Sequence, residues 1–220
     1  MMNDGKKAKP GPIDPDLFGL KLSMYVPLHI REPSEYASAW RGRIVVNDEN
    51  RCSVIAGRMT LTLYDLNRAE VDGQHPLEVF DCLSEPALEL YQDIYDGYDL
   101  KEGVEEVVED VTSPSLLVIE IVEVLPQYRG GGLGLAAALK AMHLLGPTGG
   151  MVALLAAPLN EPFWHRGMKM EEFPPASPEV REKLGRYWQR LGFRPLGSSC
   201  LHLRNLENLP TISDLLSMQR

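Results

Sequence analysis

Cysteine is scarce: Cys52, Cys82 and Cys200 are odd in number and far apart, so neither a disulfide framework nor a metal cluster is implied. The five histidines, at positions 29, 75, 143, 165 and 202, have no metal-ligand spacing, and only His165 is placed to be a site residue. No apolar run approaches the roughly 18 residues of a membrane span. The start of the chain lacks the charged-then-apolar pattern of a signal peptide. The expectation is a cytoplasmic chain with reduced thiols and no membrane partner. A P-loop string, G-x-x-x-x-G-K-[ST], is missing, and no internal repeat is present. Basic residues are nearly absent from one long segment: Glu78 to Glu123 holds fourteen acidic residues and a single lysine, Lys101. With a net charge of −9 the chain is a poor match for nucleic acid.

What is present is an ordinary apolar fraction, 44%, on a length of 220 residues, enough for one full core. Residues 1–17, rich in Lys, Pro and Gly, read as a disordered tail. A single domain is expected over 18–210, with 211–220 as a C-terminal tail containing at most a short helix. Leu20–Val26 reads as a strand. Ile44–Val46, Val54–Ala56 and Leu61–Tyr64 read as further strand segments around a hairpin turn at 47–50. From Pro76 to Asp96 the apolar period becomes helical, with Pro86 expected to kink or split the helix. Val104, Val107, Val108 and Val111 suggest another short helix with an acidic outer face. The aromatics Phe80, Tyr91 and Tyr95 read as core.

Everything is organised around residues 116–145. Leu116–Val124 is β-branched and apolar, of strand length, and ends before Pro126. Gly130, Gly131, Gly132 and Gly134 follow, and Leu135–Leu145 has helix formers throughout, closed by Gly146 and Pro147. A strand, a glycine-rich turn and a helix start together form a cradle of backbone N–H groups suited to a phosphate, although glycines also serve plain tight turns. A dinucleotide fingerprint can be forced onto Gly132, Gly134 and Ala137, but Ala156, Ala157 and Pro158 stand where its acidic ribose partner belongs. Met151–Pro158 reads as a buried strand and Val180–Leu191 as a helix. Cys200–Leu206 reads as a closing strand. The long stretch 159–179 between them has no clean period. It is either a cover over a cleft or a packed insertion.

The string Arg129-Gly130-Gly131-Gly132-Leu133-Gly134 resembles the R/Q-x-x-G-x-G/A signature of the GNAT superfamily of acyl-CoA-dependent N-acetyltransferases. The longer run Val124–Ala136, VLPQYRGGGLGLA, is similar to that family's version of the turn, and Tyr187–Phe193, YWQRLGF, resembles its later helix end. The resemblance covers about residues 115–205. It implies an α/β (α+β) fold with a mixed, twisted sheet flanked by helices and a helical insertion before the central strand. It also implies binding of acetyl-CoA and transfer of its acetyl group to a primary amine of a small cationic molecule or a protein. A catalytically weak domain that binds acyl-CoA as a sensor or interaction module is the alternative. The oligomeric state, a homodimer included, is left open.

By that resemblance, Val124, Leu125, Arg129, Gly130, Gly131, Gly132, Leu133, Gly134, Asn160 and Trp188 line the coenzyme A site. Glu120 and Tyr187 are the candidate catalytic residues, and no metal is involved. Glu120 lies nine positions before Arg129, where related aminoglycoside-type enzymes carry an acceptor-side carboxylate. Strict alternation puts it on one face with Val118, Val122 and Val124, opposite Glu123. Its alternative is a structural ion pair to a nearby arginine. The family's tyrosine that protonates the leaving thiolate falls on Trp188, whose indole is no acid at neutral pH. Tyr187 is about 100° away around the helix, which leaves it or solvent to do the work. The acidic segment 78–123 either attracts a cationic amine or is a solvated surface.

Overall fold

The computed structural model describes residues 17–25, 33–47, 53–147, 149–158 and 177–217. Seven strands form one sheet in the order β1-β2-β3-β6-β7-β9-β8. They are β1 (Phe18–Met24), β2 (Ala37–Asn47), β3 (Ser53–Tyr64), β6 (Leu116–Val124), β7 (Met151–Leu155), β8 (Arg194–Pro195) and β9 (Leu201–Asn205). All neighbours are antiparallel except β6 and β7, which run parallel. A small hairpin of β4 (Tyr95–Asp96) and β5 (Asp99–Leu100) stands apart from this sheet. The fold is thus mixed α/β, a large and mostly antiparallel sheet flanked by helices. No helix among the described residues is long and apolar enough to cross a membrane.

Helices cover both faces. Between β3 and β6 run α1 (Leu66–Val71), α2 (Pro76–Asp81), α3 (Glu85–Ile94) and α4 (Glu102–Val108). Their apolar sides meet Tyr64, Leu116, Met151, Ala153, Leu201 and Leu203 on one face of the sheet. The expected split of the 76–96 helix occurs: Ser84 caps α3 by accepting the Ala87 N–H, and Pro86 stands in the first turn, where its missing N–H costs nothing. Phe80 stacks on Tyr64 at 4.1 Å and packs beside Tyr91 and Tyr95, so the aromatic stripe is core. The other face carries α5 (Leu133–Leu145), α6 (Pro178–Gln189) and α7 (Ile212–Ser217), packed on Met59, Leu61, Leu117, Ile119, Val152 and Leu154. α5 is apolar nearly all round and accordingly buried through most of its length.

Three expectations change. The apolar runs of 44–64 belong to two long, continuous strands, because Arg41, Arg43 and Arg58 occupy solvent-facing or paired positions inside the ladder. α1 is an unforeseen helix, capped by the Asp65 carboxylate on the Arg68 N–H. The third change concerns β6. Thr60 pairs with Ile121 and Leu61 with Ile119, so Glu120 is an extra residue in the ladder, a β-bulge. The bulge resets the alternation. Val122 and Val124 pack with the α5 face, while Val118 belongs to the α1–α4 face. Glu120 and Glu123 therefore share a face, pointing to Thr62 and Arg58 of β3, contrary to simple alternation.

Candidate active site

The parallel pair β6–β7 is hydrogen-bonded in register only from Leu116/Met151 to Ile119/Leu154. Beyond that point the strands part. β7 follows β9, with the Ala156 N–H donating to the Cys200 carbonyl at 2.8 Å, while β6 continues to Val124 alongside β3. The bulge at Glu120 stands where the parting begins. From there to Val124 the edge of β6 has no strand beside it among the described residues.

At the end of that open edge the backbone orientation follows from one bond. The Leu125 N–H donates to the Ala56 carbonyl at 2.8 Å, and antiparallel pairs alternate, so Val124 turns its N–H and C=O to the open side. The Val124 carbonyl accepts from Nε of Arg129 at 2.8 Å there. Leu125 is committed elsewhere, since its carbonyl also accepts the Tyr128 N–H at 2.9 Å. Of the two backbone positions expected to serve a ligand, only Val124 presents a donor to the opening.

The glycine turn completes this edge. Gly130 and Gly132 have φ of 95° and 79°, left-handed values that favour glycine. Gly132 is the N-cap of α5, and no side chain caps the helix. The first intrahelical bond is Ala136 N–H to Gly132 C=O. No acceptor among the described residues takes the N–H groups of Gly130, Gly131, Gly132, Leu133 or Gly134, although the last four residues are buried. Buried amides are nearly always paired, and here four buried ones in succession lie at the positive end of a 13-residue helix with no partner among the described residues. Such a site suits an anion.

Tyr187 reaches this turn from α6. Its Oη accepts the Leu135 N–H, and a Cβ built on Gly134 would lie 2.8 Å from that oxygen. Val122 and Val124 border the same position. Burial pushes the Tyr187 phenol up to about 12, opposed by the Leu135 N–H and the Arg190 charge, so it stays protonated at neutral pH. Trp188, by contrast, is 8% exposed and packs edge-on to Phe193 in the core. Its place in the helix, in step with Leu184 and Leu191, is a core position, which argues against ligand contact. Asn160 and His165 lie outside the described residues.

On the other side of the parting strands is a cleft of about 330 Å³, lined by β6, β7 and α3. Glu120 faces it, exposed, with Oε1 accepting from Thr62 Oγ1 at 2.7 Å. The ion pair considered for Glu120 belongs instead to Glu123, which is 3% exposed and bonded to Arg58. Tyr64 also lines the cleft, and burial together with the Glu120 charge raises its phenol well above the ordinary range. Two residues that sequence reasoning treated only as part of an acidic segment, Glu89 and Asp93, face the same space. Their spacing of four on a helix was the one available signal. No family model matches the chain, and no curated protein or solved structure matches it either.

Proposed function

We propose that this chain is an N-acetyltransferase of the GNAT kind, moving an acetyl group from acetyl-CoA to a primary amine. The observation that carries the reading is the junction at 119–135, where two parallel strands part beside a run of amides at a helix start that no described residue accepts from. The fit to a coenzyme A thioester is chemical. The N–H groups of Gly130–Gly134 suit a pyrophosphate, Arg129 adds charge at the lip, and the open edge of β6 suits an amide-bearing arm that bonds as a strand would. Bound acetyl-CoA would supply an acetyl thioester whose C–S bond is exchanged for a C–N bond to the amine. Of the two protons the ammonium loses, one ends on sulfur and the other in solvent.

The chain's own groups divide this work. An alkylammonium of pKa about 10.4 is neutral only about once in a few thousand molecules at pH 7. Glu120 holds the ammonium in the cleft and takes its proton on the oxygen not bonded to Thr62. The bulge aims that carboxylate at the parting of the strands. The Val124 N–H faces the same opening and stabilises charge developing on a carbonyl oxygen, with no reorganisation needed. Tyr187 accepts from Leu135 and so has its own O–H to donate. Full proton transfer from a phenol near 12 to a thiolate of pKa about 8.5 is uphill, so Tyr187 hydrogen-bonds the departing sulfur and water completes its protonation. Thermal unfolding with acetyl-CoA tests the reading. At about a hundred times its Kd the ligand should stabilise the fold by roughly 2.7 kcal/mol. Gly132→Glu should abolish the gain by placing a carboxylate in the cradle, and a wild-type curve unmoved at millimolar acetyl-CoA would refute the proposal.

A further inference from the structure

The cleft has a composition that the transfer reaction alone does not require. Its floor is apolar, with the side chains of Val118, Ala153 and Leu201 from the sheet. Its ionisable groups fall in two places. At the sheet are Glu120 and Tyr64. Across the space, Glu89 and Asp93 project from one face of α3, a single turn apart. No lysine, arginine or histidine among the described residues lines the cleft. Neither Glu89 nor Asp93 has an ion pair or hydrogen bond to another described residue, so no described residue compensates their charge. Tyr64 is an independent indication of a ligand. It is 4% exposed, its ring is fixed by stacking on Phe80, and its hydroxyl has no hydrogen-bond partner among the described residues. That hydroxyl opens onto the cleft, where a bound hydrogen-bond donor would engage it in place of water.

Resting on the reading of this chain as an amine acetyltransferase, we infer that its acceptor is a small aliphatic diamine. One amine binds at Glu120 and Tyr64, the alkyl spacer lies on the apolar floor, and the second ammonium is held by Glu89 and Asp93. The volume of about 330 Å³ is at the small end of ligand pockets and fits such a molecule. A monoamine of equal length fills the floor but leaves the α3 carboxylates without a counter-ion. The second ammonium forms two half-enclosed ion pairs, which together favour the diamine by roughly tenfold. Glu89 and Asp93 are specificity residues in this scheme and take no part in proton transfer.

Calorimetric titration with 1,4-diaminobutane and 1-aminobutane, without acetyl-CoA, tests the site apart from turnover. The same pair is then compared by kcat/KM in a thiol-release assay. The diamine should be preferred about tenfold in both. The preference should fall to near unity in Glu89→Gln/Asp93→Asn. It should persist in Glu105→Gln/Glu106→Gln, which removes the same charge outside the cleft. Tyr64→Phe should weaken diamine binding while the stacking on Phe80 keeps the fold. Equal affinities in the wild type, the same loss in both charge variants, or preference for a lysine-containing peptide over the diamine would overturn the inference. Diamine binding that depends on Glu89 and Asp93 without thiol release would leave the site standing and remove the acetyltransferase reading. Thiol release with both amines at equal kcat/KM would do the reverse.

Discussion

Gly134 and Tyr187 are coupled in a way that a double-mutant cycle can measure. A methyl group at position 134 would lie 2.8 Å from the Tyr187 oxygen, against 3.4 Å for ordinary contact, and 3.5 Å from the Val124 side chain. The clash is therefore with the hydroxyl alone. Gly134 is helical and outside the left-handed region, so alanine there gains about 1 kcal/mol of helix propensity. Overpacking against a buried group costs about 1–3 kcal/mol. Displacing Tyr187 also breaks its bond from the Leu135 N–H, a further loss of about 1 kcal/mol. Gly134→Ala should thus destabilise the wild type by about 1–3 kcal/mol net. In a Tyr187→Phe background the oxygen is gone, and the same change should stabilise by about 0.5–1 kcal/mol. The coupling, at least about 1.5 kcal/mol, is read from urea unfolding of the four proteins. Equal effects of Gly134→Ala in both backgrounds would show that the Tyr187 hydroxyl is not at the start of α5, and its role in transfer would fall with it.

Other outcomes follow from the same geometry. Glu120→Gln should lower kcat by about 10²- to 10⁴-fold while acetyl-CoA affinity stays near wild type, measured by thiol release and calorimetry. Arg58→Ala should cost about 3 kcal/mol of stability by leaving Glu123 buried without its arginine, whereas Glu120→Gln, being exposed, should cost under about 0.5 kcal/mol in the same denaturation assay. Tyr187→Phe should reduce kcat by about tenfold, the worth of one hydrogen bond to developing charge; a loss beyond about a thousandfold would make Tyr187 a true proton donor. Because burial raises the Tyr187 phenol from 10.0 to about 12, the unfolded chain releases this proton first. Stability should fall as pH climbs through that window, and the slope should shrink in Tyr187→Phe.

The central unit was legible in the sequence because its ends are punctuated. Leu116–Val124 is bounded by Pro126, and α5 by Gly132 and Gly146, so strand, turn and helix fall within two residues of expectation. The split at Pro86 was legible for the same reason. The bulge at Glu120 was not, since alternation assumes one residue opposite one, and nothing in LLVIEIVEV marks the extra residue. It exchanged the roles of two carboxylates, sending the buried ion pair to Glu123 and leaving Glu120 in the cleft. The choice between Tyr187 and Trp188 needed helix phase rather than motif alignment. Leu184, Trp188 and Leu191 share the core stripe, which turns Tyr187 toward α5. Glu89 and Asp93 were hidden because only the tertiary placement of α3 across the mouth of β6 and β7 separates them from other acidic surface residues.

We propose that acetyl transfer takes place at the parting of β6 and β7. It is tested most directly by incubating the purified chain with acetyl-CoA and 1,4-diaminobutane, then counting free thiol and N-acetylated amine together. One thiol should appear per acetylated amine, over many turnovers, and both should vanish in Gly132→Glu. Thiol release without acetylated amine, or no release although the folded protein binds acetyl-CoA, would contradict it.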